Sequence, residues 1–209
     1  MKINAVITTN KLKSTKKAFS ENSAILSSFL SVCFGIVAGC ILNIINTDTV
    51  FESIQEYFVN FATQFSYKAK AEIFSGLLIS NIPYFILMLI LGASTIGSFT
   101  VYVISFFKSA GIGAVATYLY STYSLRGIEY CLLVFFPAKI LLIFGILLLT
   151  TSCYANSKNI VLLIKNSAEN KIEMNKYFLR SFFIYLVFVI SSIVEFIAIT
   201  SFSSLFSFN

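Results

Sequence analysis

Long apolar runs, separated by short polar or charged stretches, set the pattern of the chain. A helix needs about 20 consecutive apolar residues to cross the hydrocarbon core of a membrane. The first such run, 24–46, carries no charge between Glu21 and Asp48. The next, Ile73–Phe107, is uncharged throughout and too long for one span. It divides at Gly92-Ala93-Ser94-Thr95-Ile96-Gly97, where two glycines bracket small polar residues. The pattern predicts five spans, near 24–46, 73–93, 97–120, 130–152 and 181–202. Between and around them lie a basic segment at 1–23, loops at 47–72 and 153–180, and a tail at 204–209. The expected fold is all-α, a polytopic integral membrane protein with a single transmembrane helical domain over 24–203.

Loop 47–72 has a helical period of its own. Val50, Phe51, Ile54, Tyr57, Phe58, Phe61 and Phe65 recur at steps of one, three or four, with Glu52, Gln55, Glu56, Asn60 and Gln64 between them. That spacing predicts an amphipathic helix at the membrane interface, packed on the bundle or docking its aromatic face on a partner. Its polar face is acidic, which disfavours anionic lipid headgroups.

Composition excludes the alternatives to a membrane protein. Hydrophobic residues make up 57% of the 209 positions and charged residues 11%, against about 25% charged in soluble domains. Mean hydropathy is +0.86, too high for a soluble surface or for intrinsic disorder. There is no histidine, which removes the commonest general base and metal ligand. Cys33, Cys40, Cys131 and Cys153 fall in or beside apolar runs without metal-site or disulfide spacing. No catalytic group, metal site or cofactor site is expected.

The net charge of +6 belongs to the span flanks and not to a nucleic-acid-binding face. Lys2, Lys11, Lys13, Lys16 and Lys17 precede the first span, and Lys158, Lys165, Lys171, Lys176 and Arg180 separate the fourth from the fifth. With five spans these share a side, and the other side holds Lys68, Lys70 and Arg126. The positive-inside rule then predicts a cytoplasmic N-terminus and an external C-terminus. Val37-Ala38-Gly39-Cys40 resembles a lipoprotein cleavage site. The apolar run continues past it, however, so the first span is expected to be retained.

Three charges fall inside spans: Lys108, Lys139 and Glu195. Each needs a partner or a water-filled cavity. At 1.5 Å per residue they lie about 15, 20 and 22 Å deep, so Lys139 and Glu195 are expected to pair, with Lys108 as the alternative partner. Their role is structural glue or the lining of a path. Gly35 and Gly39 form a GxxxG pattern, and Gly92, Gly97, Gly111 and Gly113 also sit at expected close helix contacts. Such a pattern is compatible with a homo-oligomer. Pro137 is expected to kink the fourth span beside Lys139.

The segment from Asn81 through Pro83 and Leu91-Gly92 to Gly97 resembles the hallmark segment of the stage II sporulation protein M family. Phe107-Lys108 with Gly111 and Gly113, Phe136-Pro137, and the first span with Phe34-Gly35 and Gly39 are similar in order and spacing. Two departures are Ser109-Ala110 before Gly111, where the family tends to place glycine, and Ala138-Lys139 after the proline. The resemblance covers about residues 25–203. It implies a non-enzymatic membrane scaffold for forespore engulfment, joining peptidoglycan-degrading proteins D and P of the same sporulation stage at the septal membrane. Val50, Ile54, Phe58, Phe61 and Phe65 are the expected docking face for an external partner.

A second expectation is a transporter subunit working with a cytoplasmic ATPase. Lys108, Lys139, Glu195 and Pro137 would line its path, and Ile160, Val161, Leu163 and Ile164 would form a coupling helix.

Overall fold

The computed structural model describes residues 2–45, 70–166 and 174–202, and no strand occurs among them. The helices, in order, are α1 (Lys2–Ile45), α2 (Lys70–Ile79), α3 (Ile82–Gly92), α4 (Gly97–Tyr130), α5 (Phe136–Asn166) and α6 (Met174–Phe202). A five-residue π-helical turn, Cys131–Phe135, joins α4 to α5. Residues 46–69, and with them the interfacial helix and its docking face, lie outside the described residues.

Four helical runs are long and apolar enough to span a membrane: Asn22–Leu42, Lys70–Gly92, Gly97–Lys165 and Met174–Phe202. The third has 69 residues, about 100 Å if straight and about three times the hydrocarbon thickness. It folds back at Ser124, which has φ 50° and ψ −122°. Gly127 then packs on the Leu119 carbonyl, and Thr150 lies beside Ser105. This run therefore crosses twice, for about five passes in all.

Several boundaries differ from those the hydropathy predicts. The 73–93 span is two half-helices with a turn at Ser80-Asn81, because Pro83 has no N–H for the helical ladder. Pro83 is accommodated at the start of α3, where an N–H would lack a helical partner anyway. Segment 153–180 is largely helical: α5 runs on to Asn166 and α6 begins at Met174. A helix satisfies its own backbone, so it need not end where the apolar run ends. The basic segment 1–23 is likewise helical from Lys2 onward. Pro137 is relieved by the π-helical turn before it, where the Phe136 N–H reaches back to the Cys131 carbonyl. Widening the ladder spares the carbonyl one turn back from the proline ring.

Glycine sets the tightest contact. Ser31 Oγ donates to the Tyr102 carbonyl at 2.7 Å, and Cys40 Sγ lies 3.5 Å from the Gly113 carbonyl. Between those points Gly35 faces the Phe106 carbonyl and Gly39 the Ala110 carbonyl, while Gly113 faces that of Ile36. The paired positions advance together, so α1 and α4 run parallel. A Cβ at any of these glycines would collide with backbone, which cannot rotate away. Lipid tails are as apolar as the helices, so backbone proximity itself must supply the attraction. Gly111 departs from expectation: nothing lies within 4 Å of a Cβ built there, because it points away from α1.

Two apolar clusters fill the bundle. One gathers Met88, Val101, Ile146, Leu149 and Phe188. The other gathers Leu77, Tyr118, Leu119, Val134 and Ile199. Gly145 belongs with the first cluster, since its missing side chain admits the Phe188 ring.

Gly39→Leu should lower the thermal unfolding midpoint in detergent by several degrees, as overpacking costs about 1–3 kcal/mol. Gly76→Ala, where a Cβ meets open space, should leave it unchanged or raise it slightly, by up to about 1 kcal/mol of helix propensity.

Candidate functional site

A cavity of about 350 Å³ lies where the two clusters meet. The three intramembrane charges, Lys108, Lys139 and Glu195, all line it. α4 supplies Lys108, α5 Lys139 two residues beyond Pro137, and α6 Glu195. Lys139 Nζ lies 2.6 and 2.8 Å from the two carboxylate oxygens of Glu195, so the structure brings together the pair that helical depth indicates. Their side chains are 16% and 14% exposed. Lys139 also sits 5.2 Å from the Phe135 ring centre, a second favourable contact for its charge.

Lys108 is placed differently. Its ammonium lies 5.6 Å from the centre of the Tyr84 ring, and among the described residues it makes no ion pair. Tyr84 is itself tied inward: its hydroxyl is 3.3 Å from Ser105 Oγ, which is 2.5 Å from Thr150 Oγ1. This hydroxyl chain links α3, α4 and α5 across the buried centre.

The turn that splits the second pass forms another wall. At the turn the Asn81 N–H bonds the Leu78 carbonyl and not that of Leu77, its α-helical partner, and side chains compensate. Ser80 Oγ donates to the Leu77 carbonyl at 2.8 Å. Ser192 Oγ and Asn81 Nδ2 approach the same oxygen at 3.4 and 3.5 Å. Asn81 Nδ2 also lies 3.4 Å from Ser192 Oγ, fixing the break to α6. Hydrocarbon tolerates irregular backbone only where protein or a polar cavity satisfies it.

At the far end of α3, the turn 93–96 is clamped by residues from the predicted 153–180 loop. Asn156 Nδ2 donates to the Gly92 carbonyl at 2.8 Å, and Ser157 Oγ to the Ser94 carbonyl at 2.7 Å. The Tyr177 hydroxyl donates to the Leu89 carbonyl at 3.1 Å. Gly92 and Gly97 make room for this clamp, since a Cβ at Gly92 would strike Tyr177 and Cys153, and one at Gly97 the Leu91 carbonyl.

Tyr84, Asn156, Ser157 and Tyr177 were not among the residues the sequence singles out. The available signal was weak: isolated polar residues within or just beyond apolar runs. Gly35, Gly39 and Gly113 gather on the α1–α4 seam and Gly92 and Gly97 at the clamp, whereas Gly111 lines the cavity. Cys131 and Cys153 are buried and Cys33 and Cys40 half-buried, all as free thiols. Among the described residues no three His, Cys, Asp or Glu side chains gather at one point.

Glu195→Gln should destabilise the protein by about 3 kcal/mol, the lower end for breaking a buried pair, by leaving the Lys139 charge uncompensated. Adding Lys139→Met should recover more than half of that loss in thermal unfolding. Strictly additive losses would show that the two charges are energetically independent.

No match is found among curated proteins or among solved structures. A family model described as Stage II sporulation protein M, in contrast, matches residues 28–200. The matched stretch contains the α1–α4 seam, the broken second pass, the clamped turn and all three cavity charges. By that extent of agreement, the chain belongs to the stage II sporulation protein M family.

Proposed function

We propose that this protein is a non-enzymatic membrane scaffold that holds peptidoglycan-degrading proteins at the septal membrane during forespore engulfment. The observation that carries this reading is the family match over residues 28–200. The packing agrees with it: the polar side chains of the clamp, of the broken second pass and of the α1–α4 seam are engaged in joining helices. A bundle stitched in this way makes a rigid platform.

The partners are the sporulation-stage proteins D and P, met on the external side by Val50, Ile54, Phe58, Phe61 and Phe65. Ile45 and Lys70, the described residues on either side of the docking segment, both lie at the end of the bundle where α4 folds back. Flanks at one end of the bundle are what a docking segment on one membrane face requires. The lysine-rich stretches flank the opposite end, which supports a cytoplasmic N-terminus and an external C-terminus by the positive-inside rule.

Tagged protein purified in mild detergent from sporulating cells should retain a cell-wall hydrolase, identified by mass spectrometry. Phe58→Ser combined with Phe61→Ser should reduce its recovery at least tenfold while membrane insertion persists. Undiminished recovery would show that another surface does the docking, and absence of any hydrolase from the wild-type eluate would refute the scaffold role. Reporter fusions at the two termini should be active inside the cell at the N-terminus and outside it at the C-terminus.

A further inference from the structure

The charges around the cavity do not balance. Lys139 is neutralised through both oxygens of Glu195, and Lys108 faces the same space with no carboxylate of its own among the described residues. Among the described residues that line the cavity, two ammonium groups against one carboxylate leave a formal charge of +1. An ammonium in so apolar a setting is costly unless something of opposite charge meets it. The ring of Tyr84 at 5.6 Å offsets only part of that cost.

One further feature favours a ligand at this point: the cavity is accessible from the side. Its rim residues Ser80, Phe107 and Gly111 are exposed, Phe107 by 68%, and a side chain built at Gly111 meets open space. The remaining lining is largely apolar, with Leu77, Ile112, Val115 and Leu142 among it. An apolar chamber that opens beside Phe107 and carries one unmatched ammonium suits a negatively charged head with an apolar body.

We propose that this cavity is a binding site for an anionic group, a phosphate or carboxylate, received by Lys108. The Tyr84 ring lies beside the Lys108 ammonium, and the Lys139–Glu195 pair, which lines the same cavity, closes its other side. The anion comes either from the headgroup of a membrane lipid or from solution. The site is independent of the docking face on residues 50–65, so it stands or falls separately from the scaffold role.

The test uses the full chain, purified in a non-ionic detergent and followed by thermal unfolding. Phosphatidylglycerol, phosphatidylcholine and inorganic phosphate are added in turn, with chloride matched for ionic strength. A bound anion should raise the midpoint by about 5 °C at saturating ligand. A shift with phosphatidylglycerol alone identifies a lipid headgroup, and a shift with inorganic phosphate identifies a soluble anion. Lys108→Gln should abolish the shift, and Gly111→Leu, which fills the mouth without touching Lys108, should reduce it at least tenfold in apparent affinity. If Lys108→Gln does not fold, Gly111→Leu carries the test. An equal response to phosphatidylcholine, no response to either anion, or a full response in the variants would overturn the proposal.

Discussion

Hydrocarbon offers no hydrogen-bond partner, so a polar group drawn into the bundle is costly until something meets it. The rest of the structure follows from this constraint. It explains why the break at Ser80-Asn81 is covered by Ser80, Asn81 and Ser192 converging on one carbonyl. It explains why Asn156 and Ser157 reach across to the 93–96 turn. The same rule makes Lys139 and Glu195 seek each other across two helices, because either charge alone would be far costlier than the pair.

Proline and glycine take their places within that constraint. Pro83 and Pro137 each delete a backbone donor, and the fold absorbs them in different ways: one by starting a new helix, the other by widening the ladder into a π-helical turn. Both adjustments border the cavity, since Asn81 and Phe135 line it. The glycines act where backbones must touch. Gly35, Gly39 and Gly113 bring α1 and α4 into parallel contact, and Gly92 and Gly97 make space for the clamp. Gly111 shows that spacing alone does not assign such a role, because it borders open space.

The ion pair and the hydroxyl chain behind it separate the bundle into a tightly packed half and a half with a chamber. Around Met88, Val101 and Phe188 the side chains close completely. Below them, Lys108, Lys139 and Glu195 hold a space open that apolar residues alone would fill. Helix packing alone does not require such a chamber, so the charged cavity is the part of the molecule whose chemistry reaches beyond packing.

Much of the architecture was legible in the amino-acid order, because hydropathy and charge act locally. Runs of apolar residues near the membrane thickness, the lysine-rich flanks and the depth of each intramembrane charge are all properties of position along the chain. They determined the all-helical membrane class, the passes and the prospect that Lys139 meets Glu195. Tertiary structure alone decided which helix faces meet. Hydropathy cannot tell a helix from a loop once residues turn polar, so α5 continuing to Asn166 and its clamp on the 93–96 turn were hidden. Nor does it show rotation about a helix axis, which is why Gly111 turned toward a cavity and Gly113 toward α1 although two residues apart. The unmatched charge of Lys108 emerged for the same reason: pairing depends on where side chains converge in three dimensions, and only the assembled bundle sets that.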